Sequence, residues 1–239
     1  QSVAQVAQVQ EGNLDDLREQ LRGADAALVG TWMKFNAELM DLSPSLKVIA
    51  RTGAGVDNVD VVAATRRGIL VLNTPTANSV SVAEHAVALL LAVSKQLVFL
   101  DASVRQDNFK VRRLYLPVDV EGKTLGLIGC GNIGCMVAQK CRDAFHMHTI
   151  GFDPFLKTAP RGIDLCATIR AILPQADFVS LHLPYSPETK HLISRKEISL
   201  MKPSAFLINT SRGGIINEVA LADALNAGTI AGAALAYGH

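Results

Sequence analysis

The run Gly129-Cys130-Gly131-Asn132-Ile133-Gly134 constrains this chain more than any other feature. It directly follows the apolar stretch Leu125-Gly126-Leu127-Ile128 and opens a segment of helical spacing, Ile133 to Phe145. Glycines at such intervals fit many turns, but between a strand and a helix they form the phosphate-binding turn of a dinucleotide-binding β-α-β unit. Gly129 permits the tight turn, Gly131 lets a pyrophosphate approach the backbone, and Gly134 lets the helix lie close on the strand. The first amides of that helix, near Asn132 and Ile133, turn the favourable end of the helix dipole toward the phosphates.

Asp153 ends the next apolar segment in Gly151-Phe152-Asp153-Pro154. It lies about 20 residues beyond the turn, where an acid accepts a hydrogen bond from the adenosine ribose 2′-hydroxyl. A carboxylate there repels a 2′-phosphate, and no arginine follows it immediately, so the pattern predicts NAD in preference to NADP. An Asp-Pro turn that binds nothing is the competing reading, and the complete β-α-β context argues against it.

Around this unit the chain alternates. Strands are predicted at Ala26 to Gly30, Leu46 to Thr52, Ile69 to Asn73, Thr124 to Gly129, His148 to Phe152, Phe178 to Leu183, Ala205 to Thr210 and Ile230 to Ala236. Helices are predicted at Asp15 to Leu21, Val59 to Arg67, Ser79 to Lys95, Ile133 to Phe145, Cys166 to Leu173, Ser194 to Met201 and Glu218 to Asn226. Strict alternation with short loops predicts an α/β fold: a doubly wound parallel sheet at residues 75–239, preceded by a smaller α/β domain at residues 1–74. Ser79 to Lys95 is apolar on nearly every side, so it is expected to be a buried helix joining two bodies of protein. Asp101 to Val118 shows no sustained period and is expected to be a helix end and surface crossover.

Lys+Arg 23 against Asp+Glu 22 leaves a net charge of +1, which argues against a nucleic-acid backbone or an anionic membrane as partner. Ala86 to Val93, the longest wholly apolar stretch, is far shorter than the roughly 20 residues that span a bilayer. Residues 1–10 lack the basic segment and apolar core of a secretion signal, so a cytoplasmic location is expected. Cys130, Cys135, Cys141 and Cys166 form no CxxC pair and have no histidines at ligand spacing. We therefore expect four reduced core thiols and no metal.

Four segments together resemble the D-isomer-specific 2-hydroxyacid dehydrogenases, and within that family the phosphoglycerate dehydrogenases. They are Arg51-Thr52-Gly53-Ala54-Gly55-Val56-Asp57-Asn58, Asn73-Thr74-Pro75 leading to Ser81-Val82-Ala83-Glu84-His85, the glycine run, and Asn209-Thr210-Ser211-Arg212-Gly213-Gly214. The resemblance implies NAD-dependent oxidation or reduction of a small 2-hydroxy or 2-oxo acid, with phosphoglycerate, glycerate, glyoxylate and hydroxypyruvate as candidates. It implies that Arg212 pairs with the substrate carboxylate and polarises its carbonyl, work suited to a guanidinium fork. It implies that the amides of Gly53, Ala54, Gly55 and Val56 hold the substrate carboxylate, and that His182, Leu183, Pro184, Thr210, Ser211 and Arg212 cradle the cofactor. The resemblance also implies that residues 1–74 are a partial, flavodoxin-like substrate-binding domain, that residues 75–239 are the NAD-binding Rossmann domain, and that a homodimer forms through the helix at 79–95.

The family's proton exchange uses a histidine tuned by a carboxylate, placed after an aspartate that follows the last strand. Here the sequence reads Ala236-Tyr237-Gly238-His239, and His239 falls too early to serve. The chain is expected to be truncated at both ends relative to the family, with impaired turnover where the Glu and His are lacking. His85, His146 and His148 read as structural, and His182 and His191 have no evident carboxylate partner. The alternative function, from a different class, is a catalytically silent NAD-binding sensor resembling the corepressors of this fold.

Overall fold

A computed structural model of the chain describes residues 4–113 and 116–236. The chain divides into two compact units, Gln1–Asn78 and Ser79–His239, so the division falls just before the long apolar helix, whereas the sequence reading drew it at 74/75.

The first unit runs α1 (Leu14–Leu21), β1 (Ala26–Val29), α2 (Ala37–Asp41), β2 (Val48–Arg51), α3 (Val61–Arg66) and β3 (Leu70–Leu72). Its strands are parallel, in the order β1-β2-β3, a sequential run that the flavodoxin-like order contains at its outer edge. Asn13, Asn36 and Asp60 start the three helices by accepting amide hydrogen bonds with their side chains, which satisfies donors that a helix end leaves open. Pleating places Ala27, Ile49 and Val71 on one sheet face, where Ile49 is fully enclosed beside Leu21, Met40 and Ala64. The five-residue α2 was not expected, since it is too short for a periodic pattern to register.

The second unit begins with α4 (Ser79–Ser94), α5 (Leu97–Arg105) and a 3-10 turn at Phe109–Arg113. It continues with β4 (Thr124–Ile128), α6 (Asn132–Phe145), β5 (His148–Phe152), β6 (Asp164–Leu165), α7 (Ile169–Ile172), β7 (Phe178–Leu181), α8 (Arg195–Ile198), β8 (Phe206–Asn209), α9 (Glu218–Asn226) and β9 (Gly232–Leu235). All of its strands pair in parallel in the order β6-β5-β4-β7-β8-β9. The order reverses between β4 and β7, and in such sheets ligands bind in the crevice beyond the carboxyl ends of the strands at that point.

Alternation along β4 explains why both sheet faces are covered. Leu125 and Leu127 pack with Ala83, Ala86, Leu90, Val137 and Cys141 of α4 and α6. Ile128 packs on the opposite side with Ile172, Ile198 and Leu221 of α7, α8 and α9. Gly126 interrupts the apolar run because a Cβ there would lie 2.4 Å from the Ile172 side chain.

Several expectations are corrected. The helix end expected from Asp101 onward belongs to a separate helix, α5, which runs through Leu97–Arg105 after an unexpected break at Gln96, whose φ of 51° turns the chain. The helix expected from Cys166 to Leu173 is present but shorter, as the four-residue α7, and the two-residue strand β6 just before it was not expected. Helix α4 buries Ala83, Ala86 and Leu90 against α6, β8 and β9, but Val80, Ser81, Glu84, His85 and Ala88 are exposed. A uniformly apolar helix therefore leaves one face uncovered in this chain, and His85 is a surface residue and not a packed one. Cys130 and Cys141 are buried thiols as expected, whereas Cys135 and Cys166 are half-buried.

The amino edge of the sheet is tied by Asp177, which accepts hydrogen bonds from the Thr124 amide at 2.9 Å and from Lys202 Nζ at 2.9 Å. Burial pushes this carboxyl up, but the Thr124 amide, Lys202 and the Lys123 charge together outweigh it and hold it below the usual carboxylate range. A group depressed in the folded state contributes stability above its unfolded pKa and loses it as pH falls through the folded value. Asp177→Ala is expected to lower stability at neutral pH by about 1–3 kcal/mol. Below about pH 4 the difference from the parent chain should shrink, as urea melts at the two pH values would report.

Candidate functional site

Four strands of the six-stranded sheet end at one edge, and each delivers a residue singled out from the sequence. Gly129 follows β4, Asp153 follows β5, His182 follows β7 and Thr210 follows β8. Gly129 has a φ of +94°, and a Cβ on it would lie 2.3 Å from the His182 carbonyl oxygen. The left-handed turn and the close approach to β7 both require glycine. A Cβ on Gly134 would lie 2.2 Å from the Gly129 carbonyl oxygen, so α6 can start against the turn only with glycine there. Gly131 differs, since nothing lies within 4 Å of its Cβ position. Space is open on that side of the backbone.

Helix α6 begins at Gly131 with no side-chain cap, whereas Asn13, Asp60 and Asn217 cap α1, α3 and α9. Its leading amides thus retain donor capacity of the kind that binds an anion. Gly131 and Asn132 are exposed and Ile133 is half-buried, so no side chain closes over this spot.

Asp153 turns toward the loop and not away from it. Its Oδ2 accepts from the Cys130 amide at 3.0 Å and its Oδ1 from the Phe155 amide at 3.0 Å. Each oxygen keeps a further lone pair that ribose hydroxyls can use. Cys130 fills the space left by Gly151, whose Cβ would lie 2.5 Å from the sulfur. Burial foremost, then the charge of Asp153, pushes the Cys130 thiol up to about 12, so it stays protonated at neutral pH.

The β7 and β8 ends are laced together. Ser211 Oγ donates to the Leu181 carbonyl at 2.7 Å and accepts from the Leu183 amide at 3.1 Å. Its hydroxyl proton is committed to joining the two strand ends, and one lone pair of the hydroxyl oxygen is left for a further donor. His182 shares a 2.9 Å hydrogen bond between Nε2 and Ser180 Oγ. Burial pushes its imidazole down to about 4, so it is neutral and is held by a hydroxyl, not a carboxylate. Pro184 is exposed, and Leu183 and Arg212 are half-buried. Arg212 Nη1 donates to the Ser211 carbonyl at 2.9 Å. Thr210 Oγ1 is buried with no hydrogen-bond partner among the described residues, as a group that takes a ligand atom would be.

Asn209, fully buried at the end of β8, was not picked out as a separate site residue. The available signal was a polar residue closing the apolar run Phe206-Leu207-Ile208. His146 does face a carboxylate, Glu121, at 3.5 Å, but at the opposite edge where β4 and β5 begin. His191 is exposed. Among the described residues no cluster of three or more His, Cys, Asp or Glu is arranged to hold a metal ion.

In the first unit, the Gly53–Val56 loop leaves β2 with Gly53 at φ +140°. The Gly53 amide donates to Thr74 Oγ1 at 2.9 Å, and Asn73 Nδ2 donates to the Ala54 carbonyl at 2.7 Å. Buried Arg51 donates to the Thr52 carbonyl and, at 3.1 Å, to Asn58 Oδ1. Asn58 Nδ2 in turn reaches the Gly30 and Met33 carbonyls at 2.8 and 3.0 Å. Sequence reading named Gly53, Ala54, Gly55 and Val56 without the side chains that hold their loop.

Comparison with known proteins agrees with this geometry. Residues 87–236 match the NAD binding domain of the D-isomer specific 2-hydroxyacid dehydrogenases. The chain is 43% identical over 224 residues to D-3-phosphoglycerate dehydrogenase of Mycobacterium tuberculosis, covering 92% of this chain and 42% of that protein. It thus spans under half the length of such curated relatives. Among solved structures, D-lactate dehydrogenase of Aquifex aeolicus, complexed with NAD and lactic acid, superposes with a TM-score of 0.83 at 33% identity, over 91% of this chain and 66% of that one. An acyclic imino acid reductase in complex with NADPH and D-Arg superposes with a TM-score of 0.85 at 34% identity, over 93% and 71% of the two chains.

Proposed function

The chain belongs to the D-isomer specific 2-hydroxyacid dehydrogenases, and from that premise we propose that the protein transfers hydride between NAD and a small D-2-hydroxy acid. Phosphoglycerate is the leading substrate, with glycerate, glyoxylate and hydroxypyruvate next. The observation that carries this reading is the uncapped start of α6 at the β4/β7 reversal, with the Asp153 carboxylate bonded to the same turn.

Each residue has a part derived from its chemistry. The amides near Asn132 and Ile133 bind the diphosphate, and Gly131 leaves room for it. Asp153 accepts from the adenosine ribose and repels a 2′-phosphate, which supports NAD over NADP. The bound nicotinamide supplies the carbon that gives or takes hydride. Arg212 binds the substrate carboxylate through a charge-assisted fork and draws electron density from the carbonyl. In the first unit, the loop held by Arg51, Asn58, Asn73 and Thr74 keeps the amides of Ala54, Gly55 and Val56 as donors for an anion, while the Gly53 amide is bonded to Thr74 Oγ1. The exposed face of α4, continued by exposed Leu97, Val98 and Phe99 of α5, supports a homodimer through residues 79–95.

The test is a turnover assay following NADH absorbance with a panel of 2-oxo acids, alongside calorimetric titration with NADH. The proposal expects oxidation of NADH by at least one acid of the panel, with solvent supplying the proton and the rate lower by about 10²- to 10⁴-fold where the acid-base Glu and His are lacking. Arg212→Ala should lower kcat/KM by about 100-fold or more while changing the NADH Kd little. Tight NADH binding with no turnover on any acid would favour a cofactor-sensing role.

A further inference from the structure

We propose that Asn209 is a positioning residue whose carboxamide sets the backbone turn that presents Arg212. The inference rests on the substrate-binding reading of Arg212 and deepens it. Asn209 closes β8 with its side chain wholly out of solvent. Its Oδ1 accepts from the Ser211 amide at 2.9 Å, and its Nδ2 donates to the Arg212 carbonyl at 2.9 Å. Its own carbonyl accepts from the Ala236 amide at 2.9 Å. One side chain therefore grips the Ser211-Arg212 dipeptide from both ends, using one acceptor and one donor.

Only a carboxamide offers that pair of functions at this reach. A carboxylate would set a second acceptor against the Arg212 carbonyl, and an aliphatic side chain would leave a buried amide and a buried carbonyl without partners. The turn is fixed from outside as well, because Ser211 Oγ hooks the Leu181 carbonyl and the Leu183 amide on β7. Arg212 itself holds an extended backbone, φ −140° and ψ 148°, before the 3-10 turn at Gly213–Ile215. Its Nη1 folds onto the Ser211 carbonyl, so the guanidinium's starting point is set by the same dipeptide. The side chain that binds substrate is mounted on a frame built by a residue that never touches the ligand.

The experiment is a double-mutant cycle on the NADH-saturated chain, titrated with oxamate as an isostere of a 2-oxo acid. Asn209→Ala is expected to weaken oxamate binding about tenfold or more and to leave the NADH Kd within about twofold. In an Arg212→Ala background the same change should add nothing further, because it acts only through that arginine. An equal loss with and without Arg212, or no loss where Arg212→Ala has a large one, would overturn the proposal. Amide exchange on the unaltered chain keeps the test open if Asn209→Ala does not fold. The Ser211 amide should be strongly protected, and exchange at the rate of an open loop would also refute the clamp. If Arg212→Ala leaves oxamate binding unchanged, the arginine's assignment fails, and the protection of Ser211 alone decides whether the clamp exists.

Discussion

Alanine in place of Gly134 is expected to abolish useful cofactor affinity, whereas alanine in place of Gly131 should weaken binding without harming the fold. The two glycines lie three residues apart in one turn, but their surroundings are opposite. A Cβ on Gly134 meets the Gly129 carbonyl oxygen at 2.2 Å, a backbone atom with no rotamer by which to escape. Relief requires the start of α6 to move off the turn by about 1 Å, which carries the phosphate-binding amides with it. Overpacking of this kind costs about 1–3 kcal/mol of stability. A Cβ on Gly131 meets nothing within 4 Å and has an ordinary backbone, φ −75°, so the melting temperature should hold. The added methyl then stands where the pyrophosphate must approach. We expect an NADH Kd raised about 100-fold or more in Gly134→Ala, equivalent to about 2.7 kcal/mol, with a lowered Tm. Gly131→Ala should raise the Kd by about tenfold or more at unchanged Tm. Calorimetry and thermal melts on both variants check the pair, and a drop in Tm for Gly131→Ala would contradict the open cradle.

The second large effect concerns which dinucleotide is taken. The proposed function puts the Asp153 carboxyl, anchored on the Cys130 and Phe155 amides, at the adenosine end of the crevice. Arginine at this position exchanges repulsion of a 2′-phosphate for a charge-assisted fork. The ratio of NADPH to NADH affinity should rise by about 100-fold or more, since attraction and lost repulsion add. Asp153→Ala separates the two contributions: the preference for NADH should largely vanish without a strong gain for NADPH. Both variants lose the anchor on Cys130, so absolute NADH affinity should fall in each. An unchanged ratio in Asp153→Arg would remove the residue from the adenosine site.

Much of this arrangement was legible in the sequence because its signals are local. A strand, a glycine turn and a helix lie within about two dozen residues, and the steric reason for Gly134 is the Gly129 carbonyl of the same turn, whereas the His182 carbonyl that presses on Gly129 comes from a distant strand end. The doubly wound sheet was legible because apolar runs alternate with helical spacing, and parallel pairing follows from the crossovers. What escaped was non-local or too short to show a period. The five-residue α2 and the two-residue β6 carry no repeat, and α5 was hidden by a break at Gln96 that composition does not mark.

Side-chain commitment was equally invisible. Ser211 reads as a cofactor contact, and nothing in the sequence shows that its hydroxyl also links Leu181 to Leu183. Asn209 and Arg51 read as parts of motifs, although they hold the backbone of the residues beside them. Exposure of one α4 face could not be inferred either, because an apolar helix does not say which neighbours are present to cover it.

The most direct test of the account is backbone amide NMR of the chain titrated with NADH. The account predicts saturable shift changes largest at Cys130 through Ile133, with a second group at Asp153 to Phe155, and little change in the His146 to Met147 turn at the opposite edge. Binding that moves amides elsewhere while leaving Gly131 to Ile133 unperturbed, or no binding at millimolar NADH, would contradict it.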